Sequence, residues 1–324
     1  MLAVQIVAPR KCELIEVPVP TPGPAQVRLR MEGSGVCASN LPLWEGREWF
    51  NYPVAPGGPG HEGWGTVDEV GEAVSLVRPG DRVAILSYRA FAEYDLAHEG
   101  QVIRLPEVFA NKPFPAEAFG CAFNIFKRSD VHPGQTVAIV GVGFLGAVLT
   151  QLCSSAGATV IAISRRSTSL SLAREYGASH VLAFANDPVQ EVARLTNRLG
   201  CERVIEAAGL QSTLNLASAI IGENGKLILA GYHQDGLRIV DLQRWNWLGI
   251  DVINAHERKP EMYCSGMRAA VEAAAEGVFD YSRLITHRLS VHELNEAFSA
   301  LAERPQGFVK ATVEFAVDQR TRGI

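Results

Sequence analysis

Thr136-Val137-Ala138-Ile139-Val140-Gly141-Val142-Gly143-Phe144-Leu145-Gly146 is the stretch that decides the fold of this 324-residue chain. Its first part is an unbroken run of β-branched and small apolar residues, the pattern of a strand buried on both faces in a parallel sheet. The run ends in Gly-x-Gly-x-x-Gly, and Ala147-Val148-Leu149-Thr150-Gln151-Leu152 continues with helical spacing. A strand, then these glycines, then a helix together make a dinucleotide fingerprint. Gly141 permits the tight turn, Gly143 lets the backbone approach a pyrophosphate, and Gly146 lets helix and strand pack closely. The free N–H groups of the helix start, around Phe144 and Leu145, favour an anion.

Working toward the C-terminus, strands alternate with helices: Thr159–Ile163, His180–Phe184, Arg203–Ala207, Lys226–Ala230 and Gly249–Ile253. Continuous apolar strands of this kind belong to a parallel sheet covered on both faces. The expected fold class is therefore α/β, with a doubly wound Rossmann unit over residues 119–254. After the second strand come Ser164-Arg165-Arg166, where an NAD enzyme carries an acid for the ribose 2′-hydroxyl. A hydroxyl and two guanidinium groups can instead hydrogen-bond a 2′-phosphate with charge assistance, so the expected cofactor is NADP(H) rather than NAD(H). A solvated basic turn would leave the missing acid unexplained. The tail reads as a helix from Gly266 to Gly277, a strand near Leu284, a helix from His292 to Ala302 and a final strand from Lys310 to Val317.

Working toward the N-terminus, short β-branched stretches are broken by proline and glycine, as in Pro18–Pro24, followed by the alternation Gln26–Met31. This is an antiparallel β unit. Hydrophobic residues make up 47% and charged residues 20%, the balance of a soluble globular protein, and the length calls for two domains. A net charge of −5 carries no basic footprint for nucleic acid. No apolar run is long enough for a membrane span, and Met1–Arg10 reads as a strand rather than a signal peptide, so a cytoplasmic protein is expected. The six cysteines lack CxxC pairs, which argues against a disulfide framework or a four-cysteine zinc lobe.

The second informative stretch is Gly60-His61-Glu62-Gly63-Trp64-Gly65, continued by Gly71 and Val74. An imidazole beside a carboxylate, between glycines that allow tight turns, can sit at one metal ion. The spacing resembles the zinc-site signature of the medium-chain zinc-dependent alcohol and polyol dehydrogenases. The resemblance covers essentially the whole chain. It implies a GroES-like, partly open β-barrel catalytic domain formed by residues 1–118 together with 255–324, and an oligomer, dimer or tetramer. It also implies that Cys37, in Gly35-Val36-Cys37-Ala38-Ser39-Asn40, is the first zinc ligand; a small buried thiol is the alternative for a single cysteine. Counted back from the turn glycine Gly134, the third-ligand position falls on Glu117, not Cys121. Glu117-Ala118-Phe119-Gly120-Cys121-Ala122 is similar to the Glu-Pro-Leu-x-Cys-Ala stretch of the polyol and threonine branch, with Ala118 in place of proline. The implied ligands are Cys37, His61 and Glu117, with Glu62 as a fourth or exchanging donor, and Cys121 as packing.

The segment between Asp81 and Phe91 has no cysteine-bearing insertion for a structural zinc, so one catalytic zinc per chain is expected. Trp44, Trp49, Phe50 and Tyr52 either line a substrate pocket or pack the barrel. In the family Ser39 is the position whose hydroxyl hydrogen-bonds the substrate oxygen. Asn40 and Pro42 stand where relatives carry an aspartate and a relay histidine, leaving water, the cofactor ribose and Glu62 as proton exits. His98, His132, His256 and His287 have no second motif around them. The expected activity is zinc-dependent hydride transfer between NADP(H) and an alcohol or carbonyl. A zinc-free quinone or enone reductase on the same fold, or a non-catalytic cofactor-binding protein, are the alternatives.

Overall fold

The structure, a computed structural model, describes residues 1–315. It divides into two compact units: Met1–Gly120 with the described residues from Lys259 onward, and Cys121–Arg258.

The first unit opens with the antiparallel hairpin β1 (Leu2–Ala8) and β2 (Lys11–Glu16). Next come β3 (Gln26–Gly35), the short helix α1 (Leu41–Glu45), β4 (Glu62–Val70), β5 (Arg82–Ile85), β6 (Tyr94–His98) and β7 (Val102–Arg104). The alternation read over Gln26–Met31 is seen in β3, where every second side chain is buried. Helix α2 (Ala116–Ser129) carries the chain into the second unit.

That unit is built on β8 (Thr136–Val140), α3 (Phe144–Ser155), β9 (Thr159–Ser164), α4 (Ser167–Glu175), β10 (His180–Ala183), α5 (Pro188–Leu195), β11 (Cys201–Glu206), α6 (Gln211–Ile220), β12 (Ile221–Leu229), α7 (Leu242–Leu248) and β13 (Asp251–Asn254). The sheet order is β10-β9-β8-β11-β12-β13 with all pairs parallel, the doubly wound Rossmann arrangement. Val137, Ala138, Ile139 and Val140 of β8 have no exposed surface, as a strand covered on both faces requires. Burying each large aliphatic side chain contributes about 1.5–3 kcal/mol. Gly249 and Ile250 do not belong to the last strand. Gly249, at φ 60°, is the left-handed C-cap that ends α7, and β13 begins two residues later.

The chain returns to the first unit through α8 (Pro260–Ala275), β14 (Ile285–Ser290), α9 (Leu294–Glu303) and β15 (Lys310–Glu314). Helix α8 starts earlier than its apolar pattern indicates, with Pro260 in its first turn. Ala316 and Val317, assigned to the last strand from sequence, lie outside the described residues. β3 organises this unit. One edge pairs with β4; the other pairs with β6 over Gln26–Arg30 and with β15 over Gly33–Gly35. Bulges between Arg28 and Leu29 and between Met31 and Gly33 bend the strand so that it serves all three partners. The sheet path ends at β14 and β7, leaving the barrel partly open. Among the described residues no helix is long and apolar enough to cross a membrane. All six cysteines are free thiols.

Candidate active site

The metal-type residues lie where β3 ends and β4 begins. Antiparallel register sets Gly35 opposite Glu62, so the residues just past β3 face those just before β4, and Cys37 meets His61. Ligand-type atoms of Cys37, His61 and Glu62 all lie within 4.8 Å of one another. His61 Nδ1 is 2.9 Å from the Pro59 carbonyl; with the proton there, Nε2 keeps its lone pair for a metal. Ser39 Oγ donates to Cys37 Sγ at 3.2 Å and lies 3.4 Å from Asn40 Oδ1, while the buried Asn40 donates to the same Pro59 carbonyl at 3.4 Å.

Glu117 lies in the first turn of α2, 7% exposed, outside the 4.8 Å group. Among the described residues its carboxylate has no hydrogen-bond or ion-pair partner. Burial is the main reason its carboxyl is pushed up to about 7; the His61 charge opposes this, Glu62 adds to it and Lys310 opposes it. Burial also works against a charged His61. The sulfur of Cys37, through charge and a hydrogen bond, and then Glu117 and Glu62 nevertheless hold the imidazole well above the usual histidine range. The cluster therefore gathers a sulfur, an imidazole and two carboxylates in one buried place. A sulfur, a nitrogen and carboxylate oxygens, one carboxylate lacking a partner, fit a zinc ion. Cys121, one turn further along α2, packs on the core around Ile125, Leu149 and Cys153.

One residue of this site was missed from sequence. Lys310, the first residue of β15, is only 4% exposed. Its Nζ donates to Glu62 Oε1 at 2.9 Å and forms an ion pair with Oε2 at 2.7 Å. A lysine at a strand end ordinarily reads as solvated, and only the position of β15 beside β3 brings it inward. The aromatic group divides. Trp44 is buried against Phe298 and Tyr52 packs on the same core, whereas Trp49 is 56% exposed beside Phe50. The exposed ring of Tyr88 lies 6.4 Å from that of His61.

In the second unit, Gly141 has φ +102°, and its N–H donates to Ile163 O at 2.9 Å. A Cβ on Gly146 would sit 2.0 Å from the Gly141 carbonyl, whereas one on Gly143 would have no protein atom within 4 Å. Packing accounts for Gly146 and not for Gly143, which borders open space at the α3 N-terminus beside Phe144 and Leu145. Ser164 is the buried last residue of β9, and its Oγ accepts from Arg166 N at 3.3 Å. Arg165 donates from Nη2 to Ser212 Oγ at 2.8 Å and lies over the Phe184 ring at 4.9 Å.

A second polar centre at the carboxyl ends of β11 and β12 also escaped the sequence reading. Glu206 is fully buried. Its Oε1 accepts from Ala208 N and Gly209 N at 2.9 Å and from Thr213 Oγ1 at 2.6 Å. His233 Nε2 lies 3.0 Å from Oε2, and Arg238 Nε donates to His233 Nδ1 at 2.8 Å, so Nε2 carries the histidine proton. The network fastens the loops that follow these strands, on the rim where open α/β sheets take their ligands.

Two family models match the chain and between them cover most of it. An alcohol dehydrogenase GroES-like domain matches residues 23–107, and a zinc-binding dehydrogenase domain matches residues 145–281. Human sorbitol dehydrogenase is 27% identical over 92% of this chain and 91% of that protein. The NAD-dependent alcohol dehydrogenase of Sulfurisphaera tokodaii is 26% identical over 93% of this chain and 95% of that protein. Among solved structures, a putative zinc-binding dehydrogenase from Sinorhizobium meliloti bound to NADP superposes with a TM-score of 0.83, at 27% identity, over 97% of this chain and 98% of that one.

Proposed function

This chain belongs to the medium-chain, zinc-type alcohol and polyol dehydrogenase family, and from that premise we propose that it transfers a hydride between NADP(H) and a small alcohol or polyol, or the matching carbonyl compound, at one zinc ion. The observation that carries the reading is the convergence of Cys37, His61 and Glu62 beside the partnerless, buried carboxylate of Glu117. Cys37, His61 and Glu117 would hold the ion, with Glu62 as a fourth or exchanging donor. Bound there, zinc supplies polarisation of the alcohol oxygen, and the nicotinamide supplies the hydride acceptor.

The chain's own groups do the rest. His61 keeps Nε2 available because its Nδ1–H donates to Pro59 O, which holds the proton on Nδ1. Ser39 Oγ, next to the Cys37 sulfur, would hold the hydroxyl proton of the substrate. Asn40 orients Ser39 without taking up a proton, so proton release runs through water, the cofactor ribose or Glu62. Gly141, Gly143, Phe144, Leu145 and Gly146 would receive the pyrophosphate, and Ser164, Arg165 and Arg166 the 2′-phosphate. No carboxylate stands at the end of β9 to repel that phosphate. The NADP-bound relative favours this cofactor, whereas the NAD-dependent relative at similar identity favours the other, so the preference rests on Ser164, Arg165 and Arg166.

The test combines elemental analysis with initial rates for a panel of sugars, polyols and secondary alcohols, each with NADP+ and NAD+. One zinc per chain together with NADP+ reduction is expected. Protein that takes up no zinc and oxidises nothing would refute the proposal, while a zinc-free protein active on enones would favour the reductase reading. Light scattering of the purified protein should give a dimer or a tetramer.

A further inference from the structure

The polar network around Glu206 closes on itself. Gly209 N donates to Glu206 Oε1 at 2.9 Å, and Gly209 O accepts from Arg238 Nη2 at 2.9 Å. Arg238 Nε donates to His233 Nδ1 at 2.8 Å, and His233 Nε2 returns the ring to Glu206 Oε2 at 3.0 Å. Arg238 also pairs with the exposed Asp235. The ring ties the loop after β11 to the loop after β12, with a neutral imidazole between a buried anion and a cation. Both loops are packed on the fingerprint turn. A Cβ at Gly141 would lie 2.9 Å from Ala208 Cβ and 3.1 Å from Ala208 N, whose N–H is itself held by Glu206 Oε1. A Cβ at Gly209 would lie 2.7 Å from Tyr232 O, and one at Gly231 would lie 2.2 Å from Gly209 N. The three loops touch backbone to backbone, so a shift of one displaces the next.

We propose that His233 is a positioning residue for the cofactor: held between Glu206 and Arg238, it fixes the loops after β11 and β12 where they receive the nicotinamide half of the dinucleotide. This rests on the cofactor reading above. Sheet order supports it. β9, which ends in Ser164 and leads to Arg165 and Arg166, flanks β8 on one side; β11 flanks it on the other, with β12 next. A dinucleotide whose pyrophosphate sits at the end of β8 and whose adenosine lies toward β9 has its other half toward β11 and β12. The effect of His233 is electrostatic. Glu206 is fully buried, and a buried carboxylate is strongly disfavoured unless its oxygens are satisfied. An apolar ring at position 233 would take the donor from Glu206 Oε2 and the acceptor from Arg238 Nε together. The two loops would then have to shift for the charges to meet each other or water, and Ala208 would carry that shift to Gly141.

The test is calorimetric titration of the whole protein with NADP+ and with 2′,5′-ADP, which carries the adenosine half alone. In His233→Phe the NADP+ Kd should rise at least about tenfold, while the 2′,5′-ADP Kd stays within about twofold of wild type. His233→Gln should bind both near the wild-type level, since its amide can donate to Glu206 and accept from Arg238. A merely structural histidine would show neither the split between ligands nor the rescue. If His233→Phe fails to fold, Arg238→Met opens the same ring and should weaken NADP+ while sparing 2′,5′-ADP. An unchanged NADP+ Kd in a folded His233→Phe overturns the proposal. Equal weakening of both ligands overturns it too, as does a His233→Gln protein that behaves like His233→Phe. Absence of NADP+ and 2′,5′-ADP binding in wild type would instead remove the cofactor reading itself, and the role of His233 with it.

Discussion

Arg165→Ala is the substitution on which the cofactor reading depends most directly. The guanidinium is already ordered: Nη2 donates to Ser212 Oγ at 2.8 Å, and the group lies over the Phe184 ring at 4.9 Å. Little side-chain entropy is then left to lose when a 2′-phosphate arrives. A charge-assisted hydrogen bond to phosphate is worth about 1.5–3 kcal/mol, and giving up part of the solvent-exposed bond to Ser212 offsets about 0.5–1 kcal/mol. The net of about 1–2 kcal/mol corresponds to a roughly 5- to 30-fold loss of NADP+ affinity. NAD+ carries no 2′-phosphate, so its affinity should be unchanged. Because Arg165 is exposed, the loss should shrink at about 1 M salt, where the Debye length is about 3 Å. Arg165→Lys should recover only part of the binding, since an ammonium neither stacks on Phe184 as a plane nor donates as a fork. Calorimetric titration of both variants with both cofactors at low and high salt is the assay. If NADP+ and NAD+ weaken together, or neither changes, Arg165 is a solvated turn residue and the reasoning fails.

Three further predictions concern the fingerprint and the metal site. Gly143→Ala should leave the melting temperature unchanged while weakening binding of both cofactors, because its Cβ would meet no protein atom. Gly146→Ala should also destabilise the fold by about 1–3 kcal/mol, because its Cβ would lie 2.0 Å from the Gly141 carbonyl. Thermal melts with and without cofactor separate these effects, and equal destabilisation by both would show that Gly143 serves packing. In chelator-treated protein Glu117 binds its proton more tightly folded than unfolded, so its contribution to stability is present below about 4.5 and is lost as pH rises to about 7. Denaturant melts across that range should show the stability difference between wild type and Glu117→Gln falling as pH rises; a flat or rising difference would mean that the carboxyl is not perturbed as its burial implies. Elemental analysis should find one zinc per chain, almost none in Cys37→Ser or His61→Ala, and a greater loss in Glu117→Ala than in Cys121→Ser. The reverse order for the last pair would pass the third ligand position to Cys121.

What could be read without a fold is what neighbouring residues dictate to one another. The apolar run of β8 and its three glycines specify strand, turn and helix over eleven positions, and φ +102° at Gly141 is a demand of that local geometry. The parallel sheet followed from the apolar runs at the centre of its strands, above all Val137–Val140 and Val160–Ile163. His61 and Glu62, with glycines on both sides, announced a metal-type pair, and the family spacing added Cys37 and Glu117. Side chains that meet through long-range strand pairing left no such trace. Lys310 reaches Glu62 across 248 positions, and only the pairing of β15 with the end of β3 turns a strand-end lysine into a buried cation. Glu206 read as one more strand residue until β12 delivered His233 to it and Arg238 closed the far side. The space that Glu62 occupies is likewise a property of register, since Gly35 matters through the absence of a Cβ opposite it. Local sequence carries the types of donor at this site. Which carboxylate keeps a cation of its own and which is left without one is decided by tertiary packing, because charge balance in a buried site depends on every group within a few ångströms, whatever its place in the chain.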